Sequence, residues 1–186
     1  MRSGLLELRE HDQLGPIALV DPDPLDPLAL QCLLHCVDLA REALDDGDEP
    51  FGSVLVSGAG EVLYADRNRV KDGDQTRHPE FDIARWAGQQ LPVEMRAACT
   101  VYTSGEHCAM CSAAHAWVGL GRIVYAVSTE QLVGWLTEWG VPPGPVRALA
   151  VNDVAPGVPV DGPAPELEAE VRGLHARLHG VDRAAP

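Results

Sequence analysis

Positive charge is scarce in this chain: 14 lysines and arginines stand against 28 aspartates and glutamates, a formal net charge of −14 over 186 residues. The acidic excess is spread along the sequence rather than gathered in a tail. The molecule as a whole therefore repels phosphate backbones, and a nucleic-acid partner is not expected. Long apolar runs are lacking too. No stretch approaches the ~20 residues that cross a bilayer. The opening Met1-Arg2-Ser3-Gly4-Leu5-Leu6-Glu7 turns to charge too early for a signal peptide. A cytoplasmic protein with no membrane association is the expectation. Cysteines number five, too few and odd in number for a secreted disulfide scaffold. Reduced thiols, available to a metal, are the natural reading.

What is present fits one globular domain: 46% hydrophobic and 23% charged residues are enough for a single core. Residues 21–27 alternate proline with aspartate and leucine and cannot be helix interior, which sets residues 1–26 apart as an N-terminal extension to a domain over 27–186. Asp26 is a suitable N-cap and Pro27 a suitable first helical residue. Leu30, Leu33, Leu34, Val37, Ala40 and Leu44 then recur at helical spacing, predicting a helix over 27–45. Runs at 53–57 and 62–65 flank Gly58-Ala59-Gly60-Glu61 and read as a hairpin. Further on, the pattern predicts helices at about 79–90, 108–119, 129–139 and 165–179. Strands are predicted at 98–103, 122–128 and 146–151, with loops over 140–145 and 152–165. Strand pairs alternating with helices point to an α/β fold, a three-layer α/β/α sandwich around a mixed sheet of about five strands.

Cys108-Ala109-Met110-Cys111 places two sulfurs three residues apart, close enough on a helix for both thiolates to hold one ion. Alone, such a pair has redox, structural-zinc and plain core readings. His78-Pro79-Glu80 lies 30 residues upstream at the start of another predicted helix. Residues two apart on a regular helix point to nearly opposite sides, so His78 and Glu80 can share a site only at a helix start, where Pro79 also fits. The two motifs together predict a site for one Zn2+ per chain, with His78, Cys108 and Cys111 as ligands. Two thiolates offset the ion's charge, which makes a nearby base useful. Glu80 can take a proton from an attacking water and pass it to a ring nitrogen and a departing amine.

These residues form most of the H-x-E and P-C-x-x-C signature of zinc deaminases. Together with Pro50-Phe51-Gly52-Ser53-Val54-Leu55-Val56, Arg67-Asn68-Arg69-Val70 and Thr103-Ser104-Gly105-Glu106-His107, they make the chain resemble the cytidine deaminase-like superfamily. The resemblance is to the branch of guanine, cytosine and tRNA adenosine deaminases, and it runs from about residue 28 to 128. It implies hydrolytic removal of an exocyclic amino group from a nucleobase or small heterocycle, guanine-, cytosine- or triazine-like, and a homodimer. By the same resemblance Asn68 would bond the heterocycle's edge, Phe51 would wall the pocket, and the backbone around Pro79 and Glu80 would add polar contacts. Asn68 also has a plain reading as a turn residue. The branch usually has a small residue where Pro79 stands, a cysteine where Gly105 stands and a proline where His107 stands. No ligand is lost by these departures.

His107 either touches substrate or caps the helix that follows it. Glu138, near Trp135 and Trp139 in a region expected to close over the pocket, either binds a substrate amino group or is an exposed helix acid. His115 is a packed or surface histidine, Cys32, Cys36 and Cys99 are core fillers, and His175 and His179 are read as solvated surface. An RNA-editing adenosine deaminase and a non-catalytic zinc-stabilised binding domain are the alternatives. The −14 charge speaks against the first, and Glu80, which no structural zinc site requires, against the second.

Overall fold

A computed structural model describes residues 26–181, so the extension 1–26 lies outside the described residues except for Asp26. The first helix, α1 (Pro27–Asp45), starts as its sequence requires: Asp26 accepts a hydrogen bond from the Ala29 amide at 2.8 Å and Pro27 opens the first turn. Strands β1 (Gly52–Val56) and β2 (Val62–Arg67) form the hairpin, and α2 (Pro79–Gln90) and a short α3 (Val93–Ala97) follow. Then come β3 (Thr100–Gly105), α4 (Ala109–Val118), β4 (Arg122–Val127) and α5 (Thr129–Glu138). The chain closes with α6 (Val151–Val154), β5 (Val160–Asp161) and α7 (Pro165–Leu178).

The five strands make one mixed sheet in the order β2-β1-β3-β4-β5. β1 runs antiparallel to β2 and β3, while β3, β4 and β5 are mutually parallel. Side chains alternate across it. Val54, Val56, Tyr102 and Val124 pack on one face with Leu33, Val37, Val171 and Leu174 of α1 and α7. Leu55 and Val101 pack on the other with Ile83, Ala84 and Ala87 of α2 and with Leu120. Three layers result, the architecture expected from the sequence. Gly52 lets β1 lie directly on α1, since a Cβ there would stand 2.4 Å from the Cys36 carbonyl oxygen.

Two expectations fail. Residues 146–151 are not a strand: 141–150 is irregular and Val151 opens α6. The fifth strand is the dipeptide Val160–Asp161, inside the predicted loop 152–165, held parallel to β4 at Ile123 and Val124. A two-residue strand carries no periodicity to read. Among the described residues no helix is long and apolar enough to cross a membrane.

Candidate active site

His78 and Cys108 are the N-cap residues of α2 and α4, both in extended backbone conformation, and Cys111 sits in the first turn of α4. Two helix N-termini thus converge, and their unpaired N–H groups favour negative charge there. Cys108 stands just outside its helix rather than on its face as the sequence suggested, yet the two Sγ atoms lie 3.6 Å apart. Each Sγ is 3.7 Å from His78 Nδ1. Tetrahedral zinc, with bonds of about 2.3 Å to sulfur and 2.0–2.1 Å to nitrogen, separates its ligand atoms by roughly 3.5–3.8 Å. Among the described residues this trio is the only group of three or more such side chains able to share a metal ion.

The trio's protonation fits the same task. Cys108 is lowered to about 4, first by its hydrogen bond with Cys111 and then by that with His78. Its bond to His78 in turn raises the imidazole to about 9, and the contact with Cys108, reinforced by burial, pushes Cys111 well above the usual thiol range. The pair of thiols sheds one proton readily and holds the second. Metal binding displaces the protons that remain.

Glu80, in the first turn of α2, is 4% exposed. Its Oε1 lies 2.9 Å from the Ser53 hydroxyl and 3.0 Å from the Thr103 hydroxyl, which are 2.9 Å from each other. Burial raises its carboxyl above the ordinary range, opposed by His78 and the Ser53 bond. Ser53 and Thr103 did not emerge from the sequence; they face each other across β1 and β3. The available signal in β1 was Ser53, a polar residue in an otherwise apolar strand; β3, with Thr100, Thr103 and Ser104, singled out none of them.

His78, Glu80 and Cys108 line a cleft of about 700 Å³, walled also by Phe51 and Glu106. Glu106 was likewise missed. Its carboxylate accepts from the amides of Thr129 and Val151, each at 2.8 Å, and so ties the starts of α5 and α6 to the end of β3. Phe51 lines the cleft, backed edge-on by His175 at 5.1 Å between ring centres. His175 is therefore buried, not solvated surface as expected, because α7 turns it onto Phe51; His179 is exposed. Burial lowers His175 to about 3, with His179 adding to the effect.

Asn68 and Pro79 are buried and do not line the cleft. The Asn68 amide nitrogen donates to the Phe51 carbonyl at 2.9 Å, its Oδ1 accepts from Val70 at 3.1 Å, and its Nδ2 is buried with no partner. His107 is also buried behind the cleft, edge-on to His115 at 5.4 Å, with both ring nitrogens unpaired. It is neither a cleft residue nor the cap of α4, whose N-cap is Cys108. His115 donates through Nε2 to the Gly121 carbonyl at 3.0 Å. Cys32, Cys36 and Cys99 are buried among apolar neighbours, as expected.

Glu138 stands outside the cleft, exposed, with both carboxylate oxygens bound by Arg172 at 2.9 and 3.0 Å. The sequence pointed to the right helix and the wrong face of it. Leu132, Val133 and Leu136 of α5 line the cleft, whereas Trp135 turns into the core beside the sheet and Trp139 packs against it. At 100° per residue Trp135 and Val133 project about 160° apart, with Leu132 and Leu136 between them.

Residues 29–127 match the family model described as the cytidine and deoxycytidylate deaminase zinc-binding region. A probable cytosine deaminase of Schizosaccharomyces pombe is 34% identical over 145 residues, 76% of this chain and 86% of that protein. The guanine deaminase of Bacillus subtilis is 33% identical over 95 residues, 50% of this chain and 61% of the relative. Among solved structures, a guanine deaminase from Nitrosomonas europaea superposes with a TM-score of 0.60 at 20% identity, covering 95% of this chain and 100% of that one. It shares the fold.

Proposed function

The chain belongs to the family of the cytidine and deoxycytidylate deaminase zinc-binding region, and within it we propose a zinc-dependent hydrolase that removes the exocyclic amino group of a nucleobase or related small heterocycle as ammonia. Guanine-, cytosine- and triazine-like rings are the candidates. The observation that carries this reading is Glu80, a buried carboxylate on the wall of the same cleft as His78 and Cys108, with one oxygen held by two hydroxyls.

A bound Zn2+ supplies Lewis acidity that eases deprotonation of a water molecule. Ser53 and Thr103 fix the Glu80 carboxylate by Oε1 and bind neither side of Oε2, which is the oxygen left for proton transfer. Glu80 takes a proton as water adds to the carbon bearing the amino group. It delivers that proton to the ring nitrogen, then takes the proton of the added hydroxyl and passes it to the leaving nitrogen as the C–N bond breaks; ring amine and water become ring carbonyl and ammonia. The raised carboxyl of Glu80 suits both duties near neutral pH. Asn68, His107 and Glu138, none of which lines the cleft, are left out of the substrate contacts. The −14 charge speaks against a polynucleotide substrate.

A homodimer belongs to the same reading. Trp117 is 89% exposed at the edge of an apolar groove between α4 and residues 154–159. A protruding ring beside a hollow on one surface is the self-complementary arrangement a two-fold axis requires.

The deciding experiment is ammonia release from guanine, cytosine and amino-triazines by zinc-loaded protein. Turnover of at least one is expected, and Glu80→Gln should cut kcat by about 100-fold or more with one zinc per chain retained. No release from any of them by loaded protein overturns the reading.

A further inference from the structure

The cleft is far larger than the ring it is proposed to hold. About 700 Å³ is the volume of a site for a drug-sized ligand, within the usual range of about 300–1,000 Å³, and several times what a one- or two-ring base fills. Besides His78, Glu80 and Cys108, the cleft has an apolar lobe lined by Leu132, Val133 and Leu136 of α5 and by Val146 and Leu149 of the following segment. Thr137 and Arg147 are among the few polar side chains of that stretch.

Two further observations bear on what this lobe is for. Val133 and Val146 are 41% and 60% exposed, so apolar surface inside a concave wall is left to water, which favours an apolar occupant. The wall is also fixed to the site. Glu106 is two residues from Cys108, and its two oxygens accept from the first amides of α5, which lines the lobe, and of α6, which follows the lining segment in the chain.

We propose that the lobe is a substrate subsite, and that the chain acts on amino-heterocycles carrying an apolar alkyl or aryl substituent rather than on bare bases. The substituent lies between α5 and residues 146–149 while the amino group faces Glu80. This rests on the deaminase reading above and names its substrate class.

The test compares kcat/KM, by ammonia release, for parent amino-heterocycles and their butyl- and benzyl-substituted derivatives at each ring position. At least one derivative should exceed its parent by about ten-fold or more. Val133→Asp, at a position exposed enough to tolerate the change, should lower the derivative-to-parent ratio by about ten-fold. Turnover of parents with no derivative favoured overturns the subsite and leaves the deaminase reading standing. So does a derivative preference that Val133→Asp does not move. Absence of ammonia from parents and derivatives alike overturns both.

Discussion

Asn68 is an amide half used. Its oxygen closes a turn by accepting from Val70, while its Nδ2 is buried without a partner, a condition that costs about 1–3 kcal/mol where nothing binds. Asn68→Asp retains the accepting oxygen and removes the donor. In that enclosed position the variant should lose about 1–3 kcal/mol or more of stability to denaturant at pH 7, because a carboxylate is buried with the Val70 amide as its one donor. Unchanged stability would mean that the carboxylate finds a donor or reaches water there. Gly105 shows the opposite economy: a Cβ there would stand 3.0 Å from Phe51 Cε1, so the departure from cysteine at this position lets the Phe51 ring close against the strand. His78, Glu80, Cys108 and Cys111 were legible in the sequence because a helix start and a first turn bring each motif's residues together locally. Ser53 and Thr103 were not, since 50 residues separate them and only the β1–β3 register sets them opposite.

At the scale of elements, α7 carries a consequence for pH. His175 is held neutral against Phe51, lowered to about 3 by burial from an unfolded value of about 6.5. Between those values the unfolded chain binds a proton that the folded chain refuses. Stability present above pH 6.5 is therefore lost as pH falls toward 3, by about 3 kcal/mol at pH 4. His175→Phe keeps a ring against Phe51 and removes the titration. Denaturant unfolding at pH 7 and pH 4 should show the variant losing about 3 kcal/mol less than the wild type; equal losses would mean His175 titrates normally. The helices α1, α2, α4, α5 and α7 were legible from their apolar spacing, caps and prolines. The faces of α5 and α7 were harder. Trp135 and Trp139 drew attention as aromatics, yet packing on the sheet sent Trp135 inward and gave the cleft to Leu132, Val133 and Leu136.

For the whole molecule, association is the quantity to measure. A ring as exposed as Trp117 beside an apolar groove leaves a self-complementary surface. Sedimentation velocity should give a dimer for the wild type and a monomer for Trp117→Glu, whose charge would be buried without a partner. A wild-type monomer, or a dimer indifferent to the substitution, would reject this face.

The sequence by itself pointed to the grouping of His78, Cys108 and Cys111 with Glu80 beside them, to the three-layer α/β/α class and to the charge that disfavours nucleic acid. Each depends on residue types or on spacings within one element, where chain geometry leaves few alternatives. Tertiary structure alone decided which hydroxyls hold Glu80, that the fifth strand is a dipeptide paired with β4, that His175 is buried, and that an apolar lobe extends the cleft. Those features join residues tens of positions apart, and the register of strands and the rolling of helices on a sheet are set by packing that no local pattern encodes.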